Sequence, residues 1–209
     1  MAADHTLLAC KGCGSAIVEC AFALAGIPLE IEDVDYAASS PTRARLLQVN
    51  PLGQVPALVL PDGSALTESL AILHYVNDLE PSVDLVPPPG DGTRKAFHRW
   101  SVFTVAALYP TWTYGDEPAK WVIDEAGAKQ LRDSTDEHRR TLWKYVEQQV
   151  SAPWFLGERM SALDLYLAAM TRWRPGILWF AKNAPKITAI AKRASELPAV
   201  APVMARNFG

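Results

Sequence analysis

Asn50-Pro51-Leu52-Gly53-Gln54-Val55-Pro56-Ala57-Leu58-Val59-Leu60, followed by Leu66-Thr67-Glu68-Ser69, is the stretch on which the reading of the chain turns. Pro56 heads an apolar run. A proline has no N–H to give to a ladder, so it belongs at a strand start or an edge. Pro61-Asp62-Gly63-Ser64 then supplies a turn and Ala65 to Thr67 a return strand, which makes a hairpin with its turn at Asp-Gly. If the Val55–Pro56 bond is cis, the main chain of Val55 turns outward. Its N–H and C=O are then open to an extended peptide, as they would be to an added strand. Glu68-Ser69 follows the hairpin and opens a helix that runs to Leu79. The positive end of that helix suits a carboxylate, Ser69 adds a hydroxyl, and Glu68 can hold an ammonium group. Taken alone, Thr67-Glu68-Ser69 reads as ordinary helix capping. Taken with Val55-Pro56, it describes a receptor for the free end of an amino acid.

Upstream of this stretch the chain alternates short strands and helices. His5 to Ala9 reads as a buried strand, Lys11 to Ser15 as a loop, and Ala16 to Ala25 as a helix stopped by Gly26 and Pro28. Leu29 to Tyr36 reads as a second strand. Ser39-Ser40-Pro41 opens a second helix, with a serine cap and a proline at the first helical position. Asn50-Pro51-Leu52-Gly53 ends it. The order is β-α-β-α-β-β-α, an α/β layer on one mixed sheet.

Downstream, Glu80 to Gly92 holds four prolines and two glycines and reads as a linker. The expected division is therefore residues 1–79, a linker over 80–92, and an all-helical bundle over 93–209. Its helices are Thr93 to Tyr109 ending at Pro110, Glu125 to Val150, Ser161 to Arg172, and Lys186 to Glu196. Ser161 with Asp164 three residues on is a capping box, with Met160 and Leu165 as its hydrophobic staple.

Composition narrows the class. A net charge of −3 over 209 residues argues against nucleic acid or an anionic membrane as partner. No stretch reaches the roughly 20 apolar residues of a membrane helix, and no basic segment opens the chain as a secretion signal would. Three cysteines do not suit a disulfide framework, and point to a reducing, cytoplasmic setting.

Asn50 to Leu58 with Thr67-Glu68-Ser69 is similar to the glutathione site of the cytosolic glutathione transferases, including the bacterial members. The linker and the helical second half match as well. The resemblance implies a thioredoxin-like N-terminal domain and an all-α C-terminal domain. It implies that Val55, ahead of a cis-Pro56, pairs with the cysteinyl backbone of glutathione. Glu68 and Ser69 then hold the γ-glutamyl end, with Gln54 a weaker contact. It also implies a homodimer, no metal, and a capping box that serves folding.

In that family a tyrosine, serine or cysteine after the first strand activates the glutathione thiol. Cys10-Lys11-Gly12-Cys13-Gly14-Ser15 has no tyrosine, so the candidates are Cys13, then Ser15, then Cys10. Ser15 also reads as the cap of the first helix, Cys10 as a small buried residue at a strand end, and Cys20 as core. Cys10 and Cys13 form a C-x-x-C between strand and helix, which suits a glutathione-dependent thiol–disulfide oxidoreductase as the alternative to conjugation. A non-catalytic binding protein on the same fold is a third reading. By resemblance the region from Arg94 to Asp116 forms the pocket for an apolar electrophile. Tyr109, Trp112 and Tyr114 are its candidates, read as lying in a loop beside Pro110 and Gly115. Trp121, Trp143, Trp154, Trp173 and Trp179 read as bundle packing. His5, His74, His98 and His138 show no ligand pattern, and no cysteine or histidine set matches a zinc site.

Overall fold

The computed structural model describes residues 4–35 and 40–209. Tyr36, at the end of the expected second strand, and Ser39, at the expected helix opening, lie outside these residues. So do Met1 to Ala3. The chain divides into two compact units: Met1–Val86 together with Lys192–Gly209, and Pro87–Ala191.

The first unit is built on a sheet of β1 (Thr6–Ala9), β2 (Glu30–Asp33), β3 (Ala57–Val59) and β4 (Ala65–Thr67), in the order β2-β1-β3-β4. β1 and β2 are parallel, and β3 runs antiparallel to both β1 and β4. Its helices are α1 (Ser15–Ala25), α2 (Pro41–Val49) and α3 (Ser69–Leu79). This is the thioredoxin-like arrangement expected from the sequence. β1 is central, and Leu7, Leu8 and Ala9 are fully buried. Leu8 packs with Val34, Leu46 of α2 and Ala57. Strand alternation sends Leu7 to the opposite face.

Local chemistry accounts for the boundaries. Gly26 caps α1 at φ 65°, a left-handed conformation that glycine adopts without a Cβ penalty. Pro41 occupies the first turn of α2, where a missing N–H costs nothing. In the hairpin the Asp62 carboxylate accepts from the Ser64 N–H at 2.9 Å, and Leu60 N–H donates to Ser64 C=O at 2.8 Å.

The second unit carries α4 (Arg94–Phe103), a π-helical segment Thr104–Leu108, α5 (Tyr109–Asp116), α6 (Glu125–Glu147), α7 (Ala162–Met170) and α8 (Ile177–Asn183). α9 (Pro185–Ser195) spans the division, and α10 (Ala201–Phe208) belongs to the first unit. Every residue of α7 is buried, and the Ser161–Asp164 capping box is closed. Fully buried Arg139 of α6 ties to α5: Nε donates to Thr111 Oγ1 at 2.9 Å and Nη2 to Thr111 C=O at 2.7 Å.

Three readings of the second half need correction. Pro110 does not end the aromatic helix; it sits in the first turn of α5, so Tyr109, Trp112 and Tyr114 are helical residues. Trp121 is half exposed, its ring 4.8 Å from that of Tyr114. Residues 192–209, read as part of the bundle, cluster with the sheet unit instead. Among the described residues no helix is long and apolar enough to cross a membrane.

Candidate functional site

The sheet register gathers the candidates at one edge. Leu8 stands opposite Ala57, and Ala57 opposite Thr67. The chain therefore leaves β1 at Cys10, enters β3 from Val55-Pro56, and leaves β4 at Glu68, all on the same side of the sheet. Asp33 of β2, paired with Ala9, reaches the same end. Three loops far apart in sequence are neighbours here because two of the pairings are antiparallel.

The first loop is a tight turn. Cys13 N–H donates to Cys10 C=O at 3.1 Å, with Gly12 between them at φ 74°. Ser15 is fully buried, and its hydroxyl accepts from Cys10 N–H at 3.1 Å and donates to Cys10 C=O at 3.0 Å. That hydroxyl was a candidate thiol activator, yet its proton is committed to the loop's own main chain. Ser15 is also the first residue of α1 rather than its cap, which is Gly14. Cys10 and Cys13 are both partly exposed, and the Cys10 thiol lies 3.8 Å from Lys11 C=O. Cys20 is buried inside α1. Burial, with Glu19 beside it, pushes its thiol up to about 12, so it stays protonated and inert.

The second loop is organised by a residue that the sequence reading took only as a helix end. Asn50 is buried, its Nδ2 donates to Gln54 C=O at 2.8 Å, and its Oδ1 accepts from Leu52 N–H at 3.1 Å. An asparagine ahead of Pro-Leu-Gly, able to bond main chain two residues on, was the available signal. The Val55–Pro56 bond is cis. The ladder starts at Ala57, so the Val55 N–H and C=O stand outside it. The Gln54 side chain is exposed.

The third loop places Glu68 at φ 65° and ψ 110°, an uncommon conformation for a residue with a Cβ. Its side chain makes no capping bond and is exposed, while its C=O accepts from Ile72 N–H at 3.0 Å. Ser69 is the first residue of α3 and is buried. A carboxylate beside an opening helix end, with a hydroxyl next to it, can receive an ammonium and a carboxylate together.

Tyr109, Trp112 and Tyr114 belong to the helical unit. Trp112 is buried, donates its indole N–H to Arg174 C=O at 3.1 Å, and carries the Arg139 guanidinium 4.5 Å over its ring. Tyr109 meets Trp112, Tyr166 and Trp173 edge-on. Tyr114 is set apart against Trp121.

The sequence reading also missed a polar group that backs the first loop. Asn207 Oδ1 accepts from Gly12 N–H at 3.3 Å, and Asn207 Nδ2 donates to Glu19 at 3.2 Å. Arg206 donates to both Glu19 oxygens at 3.2 Å and to Asp33 at 2.6 Å. Burial pushes the Glu19 carboxyl up, and Arg206 pulls it back. No local pattern announces these contacts, because their partners lie some 190 residues apart.

The glutathione S-transferase N-terminal domain model matches residues 15–79. The chain is 39% identical over 198 residues to the uncharacterized GST-like protein YncG of Escherichia coli, covering 94% of this chain and 95% of that one. It is 34% identical over 152 residues to glutathione S-transferase GST-4.5 of Xanthomonas campestris, covering 70% and 71%. Among solved structures, a glutathione transferase homologue from Sulfitobacter with bound glutathione superposes with TM-score 0.84 at 26% identity, over 98% of this chain and 99% of that one. A thioredoxin-like mixed sheet, the matching N-terminal domain model and a near full-length relative lead to one assignment: the chain belongs to the glutathione S-transferase superfamily.

Proposed function

We propose that the protein binds glutathione at the sheet edge formed by Cys10–Ser15, Asn50–Pro56 and Thr67–Ser69, and transfers its sulfur to small, largely apolar electrophiles. The observation that carries this reading is that the Ala57–Thr67 register brings the segment holding Val55, whose main chain lies outside the ladder, to the same end of the sheet as Glu68-Ser69 at the start of α3. The Val55 N–H and C=O pair with the cysteinyl backbone of glutathione. Ser69 and the end of α3 take the γ-glutamyl carboxylate, Glu68 takes the ammonium, and Gln54 adds an outer contact. The sulfur then lies toward the first loop, where Cys13 or Cys10 stabilises its thiolate. An oriented thiolate beside a bound electrophile needs no metal, since positioning and charge stabilisation lower the barrier. Tyr109, Trp112 and Tyr114 are the candidate electrophile contacts. Of the three, Tyr114 has the most exposed surface to offer.

The relatives' names and the glutathione-bound Sulfitobacter structure support the class. The working form on this reading is a homodimer in a reducing cytoplasm. The test is a calorimetric titration with glutathione, paired with conjugation of a chloronitroarene. Wild type should bind and turn over. Ser69→Ala and Glu68→Ala should weaken binding at least tenfold. Absence of heat with wild type would overturn the proposal.

A second reading rests on one specific feature. Both cysteines of the C-x-x-C are partly exposed at the two ends of one hydrogen-bonded turn, which favours thiol–disulfide exchange. Reduction of a mixed glutathione disulfide, lost in Cys10→Ser or Cys13→Ser while chloronitroarene conjugation is absent, would select it. Binding without either turnover would select a non-catalytic role.

A further inference from the structure

We propose that Asn207 on the last helix is a positioning residue for the thiol-bearing turn, oriented for that task by buried Glu19 and its half-buried partner Arg206. The inference rests on the functional reading above only in treating Cys10 and Cys13 as the chemical groups of the loop.

The amide of Asn207 has one orientation available. Its Nδ2 faces two acceptors, Glu19 Oε2 at 3.2 Å and Val203 C=O at 3.0 Å. An amide nitrogen is donor only and its oxygen acceptor only, so this fixes Oδ1 toward Gly12 N–H, where it accepts at 3.3 Å. Were the amide turned over, Nδ2 would face the Gly12 N–H, donor against donor, and Oδ1 would face a carboxylate. Glu19 and the Val203 C=O together select the rotamer that the loop requires.

A carboxylate is an expensive choice for this position. Glu19 is 2% exposed, on a helix whose first eight residues are all buried. A buried charge is tolerated only when paired and hydrogen-bonded, and an apolar replacement of similar volume is often no less stable. Glu19 meets that condition through both Arg206 bonds and the Asn207 amide. Arg206 continues to Asp33, at the end of β2 beside the turn. The charged group thus links α1, β2 and α10 to one main-chain N–H inside the C-x-x-C.

That N–H is well placed to control the turn. Gly12 is at φ 74°, a conformation open to glycine, so the adjoining peptide is not held by side-chain sterics. Two side chains clasp the turn's main chain: Ser15 holds the Cys10 peptide, and Asn207 holds Gly12. Ser15 fixes where the turn begins, and Asn207 fixes the orientation of its middle. Cys13 follows directly, with its N–H closed on Cys10 C=O. Loss of the Asn207 acceptor lets the Lys11–Gly12 peptide rotate and alters the environment of both thiols, although Asn207 touches neither.

The experiment is the pH profile of loop-thiol alkylation by iodoacetamide, resolved by mass spectrometry of the peptide containing Cys10 and Cys13. Full-length wild type is compared with Asn207→Ala, Glu19→Gln and Met204→Ala. Met204 is buried on the same helix, so its truncation loosens α10 without removing the Gly12 contact. Asn207→Ala should change the alkylation rate at neutral pH by about threefold to tenfold, the rate equivalent of one hydrogen bond. Glu19→Gln should shift the profile in the same direction, because a glutamine can donate to Oδ1 and turn the Asn207 amide over. Met204→Ala should lower the unfolding temperature and leave the profile in place. Profiles within twofold of wild type in both Asn207→Ala and Glu19→Gln would overturn the proposal, as would an equal shift in Met204→Ala. Should Asn207→Ala fail to fold, Glu19→Gln decides alone. Alkylation needs no glutathione, so a chain without transferase activity still gives a clear answer here.

Discussion

Glu68 holds a left-handed φ of 65°, and among the described residues its side chain makes no capping bond to account for it. Such residues carry about 1–3 kcal/mol of conformational strain and cluster where a ligand makes use of them. The strain and the proposed ammonium contact predict opposite signs for one substitution. Glu68→Gly should raise stability by about 1 kcal/mol, since glycine reaches this φ freely and is an acceptable cap. The same change should weaken glutathione binding at least tenfold, because the carboxylate is gone. Thermal unfolding and calorimetry on one sample check both, and a variant that loses stability along with binding would refute the strain account. Asn50 predicts the reverse coupling. Asn50→Ala removes the bonds to Gln54 C=O and Leu52 N–H within a buried loop, at a cost of about 1–3 kcal/mol. Binding should weaken as the Gln54-Val55 segment loosens. Thr67-Glu68-Ser69 could be read from sequence because a motif of adjacent residues and the helix after it define it. Asn50 was half read, as a helix end, because its second role depends on a loop that folds back on it. Ser15 has a contact that the sequence does not announce, for a related reason: its hydroxyl turns back to the strand end five residues earlier.

At the scale of elements, the capping box of α7 was the most local signal in the second half, and the structure reproduces it. Asp164 accepts from Ser161 N–H at 2.7 Å and from Phe155 N–H at 2.8 Å, so one carboxylate ties α7 to the preceding turn. Burial pushes that carboxyl up to about 6, against the donors that pull it down. Its folded pKa therefore lies above the unfolded value near 3.9. The contribution is full below the unfolded value and is lost as pH rises through about 6. His5 acts in the other sense: burial lowers its pKa, so its contribution is lost as pH falls. The two effects overlap in whole-protein stability, and the difference between wild type and Asp164→Asn separates them. That variant should be less stable overall, with a flatter decline between about pH 4 and 6. Parallel curves for the two proteins would rule out Asp164 as the source. Ser161→Ala should cost about 1 kcal/mol, an ordinary cap loss. Proline misled the reading of α5 because a proline in a first turn and a proline after a last turn look alike in sequence. The π-helical segment Thr104–Leu108 carries the chain directly into the helix that Pro110 was expected to prevent.

At the scale of the molecule, the boundary between units is where sequence reading reached its limit. Proline and glycine over 80–92 mark one crossing of the chain, and the structural division falls within that span, after Val86. The second crossing, ahead of Lys192, has no linker composition and lies inside α9. What returns residues 192–209 to the sheet unit is chemistry at long range: Arg206 and Asn207 on α10 meet Glu19 on α1. This makes the first unit discontinuous, with a consequence for truncation. Removing residues 200–209 strips Glu19 of its Arg206 and Asn207 partners, and hydrogen bonds to a charged group are worth about 1.5–3 kcal/mol each. The deletion also uncovers the apolar surface under Met204, which is 5% exposed in the intact chain. Against a domain stability of about 5–15 kcal/mol, the loss removes much of the margin of the sheet unit. The helical unit keeps Arg139, α7 and its capping box, none of which depends on α10. Hydrogen exchange on the shortened chain should therefore show fast exchange across β1, β3 and α1, with slow exchange retained in α6 and α7. Adding Glu19→Leu to the deletion should recover part of the protection, because it removes the stranded charge and keeps an apolar side chain at that point of α1. Uniform loosening of both units, or no recovery with leucine, would place the role of α10 in general packing instead of in the Glu19 charge.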